Sequence, residues 1–427
     1  PSVFDWKNAS WTLHVPMIRG LFYQLTQPDR LRSLNLVELL DWSANALNRV
    51  ERETFFKAFQ AEHAVQYFYE PFLESFDPEL RKELGVWYTP EEIVRYMVER
   101  VDRALRDELN IPDGLADPNV YVLDPCCGTG AFLVETLRRI QKTLSEQGDD
   151  LVSHDLKKAV KERLFGFEII PAPYVVAHLQ MGLLLQEMGA PLNVDSDERA
   201  GIYLTNSLTG WDPPVDPAKE NFQLSLSLYP ELQAEHDAAD KVKQQTPILV
   251  IIGNPPYNAY AGVSPKEEKG LVEPYKAGLI DEWGIKKFNL DDLYIRFFRI
   301  AERKIGLQPK GIVSYISNFS YVGEQSYVVM RQSLLKTFST LYFDNLNGDS
   351  RETGKVTPDG KPDPSVFSTD FNKAGIRVGT AVTTLIRKEK QTTPQVFYRD
   401  FWGKTKRQDI LASLNAPDFL KSYSLVK

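Results

Sequence analysis

Short, largely apolar runs at Val120–Leu123, Leu164–Phe167, Ile248–Ile252, Ile312–Ile316, Leu341–Phe343 and Ala381–Ile386 alternate with longer stretches of helical spacing. Continuous apolar runs, with no polar residue at every second position, mark strands covered on both faces. Such strands separated by helices predict an α/β fold, a doubly wound and mostly parallel sheet. In that architecture the chemistry is expected at the carboxyl ends of the strands.

Residues 1–85 read as an all-helical domain, with apolar residues at three- and four-residue spacing: Leu31, Leu34, Leu36, Leu39 and Leu40, then Phe55, Phe56 and Phe59, then Tyr67, Phe68 and Phe72. The α/β domain is expected over 86–397 and opens on a helix with Thr89 as N-cap, Pro90 at its first position and Glu92 two residues further on. Three polar stretches, Trp211–Thr246, Ala259–Lys287 and Asn347–Lys373, read as long functional loops. The sheet pattern stops near Gln391, and residues 398–427 read as a C-terminal helical linker.

Composition narrows the function. A chain of 427 residues with 43% hydrophobic and 25% charged residues is globular, with no apolar run long enough to span a bilayer and no signal-peptide start. The only cysteines are the adjacent Cys126 and Cys127, which excludes a disulfide framework and fits a reducing cytoplasm. His14, His63, His154, His178 and His236 are scattered without ligand spacing, so no metal site is expected. With a net charge of −8, any nucleic-acid groove must be local or come from another segment, and DNA binding by this chain alone is expected to be weak. The start at Pro1 rather than Met points to a fragment or a processed chain.

Three strand ends carry chemistry. Val120–Leu123 leads into Asp124 and then Pro125-Cys126-Cys127-Gly128-Thr129-Gly130, where glycines let a ligand approach the backbone. The turn lacks the lysine of a P-loop and the third glycine of a dinucleotide fingerprint, so by itself it also suits a plain strand–helix connection. Leu164–Phe167 ends in Glu168, an acid placed to accept both hydroxyls of a ribose, or an ordinary exposed glutamate. Ile248–Gly253 ends in Asn254-Pro255-Pro256-Tyr257. Each proline restricts the residue before it, and neither has an N–H, so the corner is stiff and its carbonyls are fixed. Two oxygens, the Asn254 side-chain oxygen and the Pro255 carbonyl, can accept both hydrogens of a planar amine. That would draw its nitrogen toward tetrahedral geometry and stabilise the positive charge of attack. Tyr257 offers a face for a planar base or a sulfonium.

Asn254-Pro255-Pro256-Tyr257 downstream of Gly128-Thr129-Gly130, with Val86-Trp87-Tyr88-Thr89-Pro90 upstream of both, resembles the gamma class of DNA N6-adenine methyltransferases. The run Phe68–Phe76 leading into Gly85–Pro90 looks like the coupler and methyltransferase part of single-polypeptide Type I (Type ISP) restriction-modification enzymes. The resemblance implies a Rossmann-like methyltransferase domain that uses S-adenosylmethionine to methylate an adenine flipped out of DNA. It also implies a helicase-like ATPase and a target recognition domain, on the parent polypeptide or a partner chain. By position, Tyr88, Thr89 and Pro90 would border the methionine part of the cofactor, Asp124, Cys126, Gly128 and Gly130 would form its loop, and Glu168 would hold the ribose. The acid usual near the adenine amine is replaced by Asn206, which can accept but carries no charge. Asn254, Pro255, Pro256 and Tyr257 would hold the target amine, and Phe367, within Ser365-Val366-Phe367, would stack on the opposite face of the base or serve as a core residue. The same corner also occurs in methyltransferases of protein glutamine and of RNA base amines, and a cofactor-binding coupler without turnover is the third alternative.

Overall fold

The computed structural model describes residues 3–7, 15–51, 54, 89–148, 151–193, 198–212, 230–257, 268, 270–368, 373, 375–390 and 392–426. The apolar runs become strands β1 (Val122–Asp124), β2 (Leu164–Glu168), β4 (Val250–Gly253), β5 (Gly311–Asn318), β6 (Thr340–Asn345) and β7 (Thr380–Arg387). Three more strands lack such a run: β3 (Gly201–Leu204), β8 (Gln395–Asp400) and β9 (Ser424–Val426). All nine form one sheet in the order β3-β2-β1-β4-β5-β7-β6-β8-β9. The β3–β2–β1–β4–β5 portion is parallel, and β7 lies antiparallel between β5 and β6.

Successive strand residues feed two cores. Val122, Val250, Ile252, Ile312 and Ile316 face one side, and Leu123, Ile251, Val313 and Tyr315 face the other. The first core is covered by helices α4 (Glu91–Asp107), α5 (Ala131–Gln147), α6 (Val152–Glu162) and α7 (Pro171–Glu187). The second lies under α8 (Pro230–Gln245), α9 (Glu273–Lys276), α10 (Leu293–Gly306) and α12 (Val328–Thr337), which follows the single turn α11 (Ser320–Gly323). The strand order reverses between β1 and β4, where the chain has moved outward through β2 and β3 before crossing back. Ligands bind in the crevice at such a switch point.

Several expectations are corrected. Residues 398–427 are not a helical linker: they contain the end of β8, a helix α13 (Lys406–Ser413) and β9. β8 is only part-buried and the edge strand β9 is exposed, so neither needs a continuous apolar run. The Trp211–Thr246 stretch holds α8 rather than only loop; most of the helix's polar residues are at least partly exposed, while Glu235 and Lys243 are buried beside Ala239 and Val242. The opening helix α4 begins one residue late, with Pro90 rather than Thr89 as N-cap, because Pro90 is extended at ψ 140°. At the N-terminal end, the described residues form α1 (Pro16–Leu25), α2 (Pro28–Ser33) and α3 (Val37–Leu47), with α1 packed on α8. Phe55, Phe56, Phe59, Tyr67, Phe68, Phe72 and Tyr88 lie outside the described residues. No described helix is long and apolar enough to cross a membrane.

Candidate active site

Asp124 ends β1 wholly buried. Its Oδ1 accepts from the Cys126 N–H at 3.1 Å, while Oδ2 has no hydrogen-bond partner among the described residues. Burial raises the Asp124 carboxyl to about 7; the Cys126 N–H opposes the rise and Glu168 adds to it. The chain then turns through Gly128 at φ 53° and Gly130 at φ 94°, left-handed positions that suit glycine. A Cβ on Gly130 would stand 3.3 Å from the Ala177 Cβ, so the glycine also lets α7 approach.

Glu168 shapes this loop. Its Oε2 accepts from the Gly128 N–H at 2.9 Å, and its Oε1 accepts from the N–H groups of Ile169 at 2.9 Å and Ile170 at 2.8 Å. Burial pushes its carboxyl up, and these three donors pull the other way. From α7, Gln180 donates to the Thr129 carbonyl at 2.7 Å.

The next strand end is fitted to the first. A Cβ on Gly253 would lie 2.7 Å from Asp124 Oδ1 and 3.2 Å from Cys126 Sγ, so β4 reaches β1 this closely only with glycine there. Cys126 therefore faces β4, and burial pushes its thiol well up, leaving it protonated at neutral pH. Beyond Gly253, Asn254 Nδ2 donates to Thr89 Oγ1 at 3.0 Å, and Tyr257 donates its hydroxyl to Asn254 Oδ1 at 2.6 Å. The Tyr257 oxygen also lies 3.1 Å from the Ile316 carbonyl on β5. Burial pushes the phenol well up, so it remains a donor. Phe367 is buried and meets Tyr257 edge to face, with ring centroids 6.2 Å apart and planes at 80°. Pro255 is buried and Pro256 half-buried.

Asn206 lies beyond β3, after Thr205 has extended the strand by donating its N–H to the Glu168 carbonyl at 2.8 Å. Its Oδ1 accepts from the Leu208 N–H at 2.9 Å, and its Nδ2 donates to Glu268 Oε1 at 3.1 Å. Glu268 is in turn paired with Arg296 at 2.7 Å. Lys243 donates from beneath to Thr205 Oγ1 and to the Asn206 carbonyl. Thus Thr89, Asp124, Cys126, Asn254 and Tyr257 come together at β1 and β4, Gly128 is tied to Glu168 while Gly130 closes the turn onto the Cys127 carbonyl, and Asn206 stands beyond β3. Sequence reasoning missed Glu268 and Lys243, each an ordinary charge in a charged stretch. It also missed the Thr89–Asn254 contact, which spans 165 residues. Buried His178 faces the Ile202 carbonyl at 3.1 Å, and burial lowers it to about 3, a neutral structural role. Among the described residues no group of three or more His, Cys, Asp or Glu could hold a metal.

A sequence model of the N-6 DNA Methylase family matches residues 60–273. The methylase subunit of the Type I restriction enzyme EcoEI from Escherichia coli is 25% identical over 198 residues, covering 46% of this chain and 34% of the relative. Among solved structures, a DrdV–DNA complex aligns over 100% of this chain and 38% of that chain, with TM-score 0.71 and 23% identity. The ATP-dependent Type ISP restriction-modification enzyme LlaBIII bound to DNA aligns over 99% of this chain and 28% of that chain, with TM-score 0.73 and 22% identity. At these identities the likeness is one of fold, and the chain spans about a third of the length of each of these proteins.

Proposed function

Because the chain belongs to the N-6 DNA Methylase family, we propose that it transfers a methyl group from S-adenosylmethionine to the N6 amine of adenine in DNA, within a restriction-modification or phage-defence system. The observation that carries the reading is the Asn254–Tyr257 corner, which stands beside the glycine turn of β1 at the point where strand order reverses. A helicase-like ATPase and a target recognition domain would complete the system, and a cytoplasmic setting goes with it.

The residues present suit the cofactor. Asp124 Oδ2 is a buried acceptor without a donor, and nothing lies within 4 Å of where a Cβ on Gly128 would be, which leaves backbone for a ligand to approach. Thr89, Pro90, Asp124, Cys126, Gly128 and Gly130 would border the methionine end, with Tyr88 beside them in sequence. A carboxylate accepts roughly four hydrogen bonds, so Glu168, which already takes three from the backbone, keeps a place for one ribose hydroxyl. Asn206 would accept from the adenine amine of the cofactor. When bound, S-adenosylmethionine supplies an electrophilic methyl.

The protein's own part is to prepare the nucleophile. Flipping an adenine costs a few kcal/mol, offset by stacking on Tyr257, worth about 1–3 kcal/mol per base, with Phe367 closing the other side. Asn254 Oδ1 has a second lone pair besides the one Tyr257 uses, and the Pro255 carbonyl is fixed, so each takes one amine hydrogen. The positive charge that develops on nitrogen then meets two oriented oxygens. Neither a metal nor a covalent nucleophile takes part in this route.

The test is methyl transfer from labelled S-adenosylmethionine to duplex DNA, followed by digestion to nucleosides. Labelled N6-methyladenine is expected from the wild type, and from Asn254→Ala a loss on the order of a hundredfold or more, as when a fixed transition-state hydrogen-bonding partner is removed. Label in protein glutamine or an RNA base, or full activity in the variant, would overturn the assignment.

A further inference from the structure

A side-chain amide can offer a ligand either an acceptor or a donor, and at Asn206 the neighbours decide which. The residue stands just past the point where Thr205 donates its N–H to the Glu168 carbonyl at 2.8 Å, so it borders the acid assigned above to the ribose. Its side chain is half-buried. Oδ1 accepts from the Leu208 N–H at 2.9 Å, and Nδ2 donates to Glu268 Oε1 at 3.1 Å. Turning the amide over would set its nitrogen against an N–H and its oxygen against a carboxylate, so both contacts would be lost. The oxygen has two lone pairs, and Leu208 uses one of them.

The carboxylate that sets this orientation is itself fixed. Glu268 and Arg296, the latter on α10, are both buried, and Arg296 Nη1 donates to Glu268 Oε2 at 2.7 Å. One oxygen of Glu268 therefore takes the amide and the other takes the guanidinium. Arg296 Nε and Nη2 have no hydrogen-bond partner among the described residues, which leaves Glu268 as the acceptor that holds this side chain. From beneath, buried Lys243 donates to the Asn206 carbonyl at 3.1 Å and to Thr205 Oγ1 at 3.0 Å. Lys243 thus pins the backbone of Asn206 as Glu268 pins its side chain. An amide whose N–H is bound to a carboxylate is polarised, and its oxygen becomes a stronger acceptor.

We propose that Glu268 is a positioning residue for cofactor selection: backed by Arg296, it keeps the Asn206 oxygen available to the exocyclic amine of the cofactor's adenine, so that the site takes 6-aminopurine nucleosides and refuses 6-oxopurine ones. The inference rests on the methyltransferase reading above and deepens it at the purine end of the site. Adenine brings a donor to Asn206 Oδ1. Hypoxanthine brings a carbonyl oxygen instead, and two acceptors then face each other with no proton between them. A neutral amide free to turn would accommodate either base, so the selectivity lies in the residue that stops it turning.

The test is calorimetric binding of S-adenosylhomocysteine and of its hypoxanthine counterpart, S-inosylhomocysteine, to the full chain. Wild type should prefer the adenine compound by about 5- to 150-fold, as for one unmade hydrogen bond. In Glu268→Gln a single amide oxygen must serve two donors, Asn206 Nδ2 and Arg296, so Asn206 is released to turn. The preference should then fall by about fivefold or more. Asn206→Asp keeps the Glu268–Arg296 pair but sets two carboxylates together, and should weaken S-adenosylhomocysteine binding by about tenfold or more. Adding Glu268→Gln to Asn206→Asp reverses donor and acceptor within the pair, and should restore both affinity and preference. A merely structural Glu268 would give no such recovery, and the double variant is read even where Glu268→Gln alone does not fold. Equal affinity of the wild type for the two compounds, an unchanged preference in Glu268→Gln, or no recovery in the double variant overturns the positioning role and leaves the cofactor reading standing. A wild type that binds neither compound sinks the cofactor reading itself.

Discussion

Tyr257 donates its hydroxyl to the side-chain oxygen of Asn254 at 2.6 Å, so the ring that would carry the base and the oxygen that would take its amine are one hydrogen-bonded unit. Thr89 holds the other end of the same amide. The amide is therefore oriented before any substrate arrives, with oxygen toward Tyr257 and nitrogen toward Thr89.

This pairing separates two contributions of Tyr257. Tyr257→Phe keeps the ring and loses a hydrogen bond worth about 0.5–1.5 kcal/mol, so single-turnover methyl transfer should slow by about 2- to 10-fold. Tyr257→Ala also loses stacking worth about 1–3 kcal/mol and should be slower again. Equal rates for the two variants would remove the stacking role.

Thr89→Val deletes the acceptor for Asn254 Nδ2 in nearly the same volume. An unmade hydrogen bond of a part-buried group costs about 1–3 kcal/mol, here expressed as a 5- to 150-fold drop in kcat with cofactor affinity changed less. Thr89→Ser should restore most of the rate, which is measured against wild type under saturating cofactor.

Gly253→Ala and Gly128→Ala should part company. Alanine at 253 forces its Cβ against Asp124 and Cys126 and should lower stability by about 1–3 kcal/mol in denaturant unfolding. Alanine at 128 meets nothing within 4 Å and bears only the left-handed backbone, a cost of about 1–2 kcal/mol. Its larger effect is expected on cofactor binding, read by calorimetry.

Asp124 gives stability a pH dependence. Its folded carboxyl is raised to about 7 from an unfolded value near 4, so between those values the folded state holds a proton that the unfolded state has released. Its contribution is fully present below about pH 4 and is lost as pH rises toward 7. Asp124→Asn should flatten that fall in denaturant unfolding across the same range; a parallel profile for the variant assigns the dependence elsewhere.

The sheet was legible where strands are covered on both faces, as at Ile248–Ile252 and Ile312–Ile316, because such strands need continuous apolar residues. It was not legible at its rims. Gly201–Leu204 is four residues long and opens with glycine, and Ser424–Val426 is exposed throughout. Nor could an apolar run disclose that β7 is antiparallel, since burial on both faces looks the same for either direction. In the site, Asp124, Glu168 and Asn254 were readable because each ends a legible strand. Thr89 beside Asn254 and Glu268 beside Asn206 depend on helices and loops folding back across 165 and 62 residues, which no local pattern encodes.

The place of β7 has a consequence for how the molecule is made. β5 and β6 precede it along the chain, yet it lies between them and pairs with both. During synthesis the first four strands can assemble as soon as they leave the ribosome, whereas β6 has no sheet to join until residue 387 has emerged. The half that would cradle the nucleoside thus matures first, and the half bearing Phe367 waits with an open edge on β5. A nascent chain stalled before that point would leave the β7-facing edge of the eight-residue β5 without its partner, a natural landing place for a chaperone.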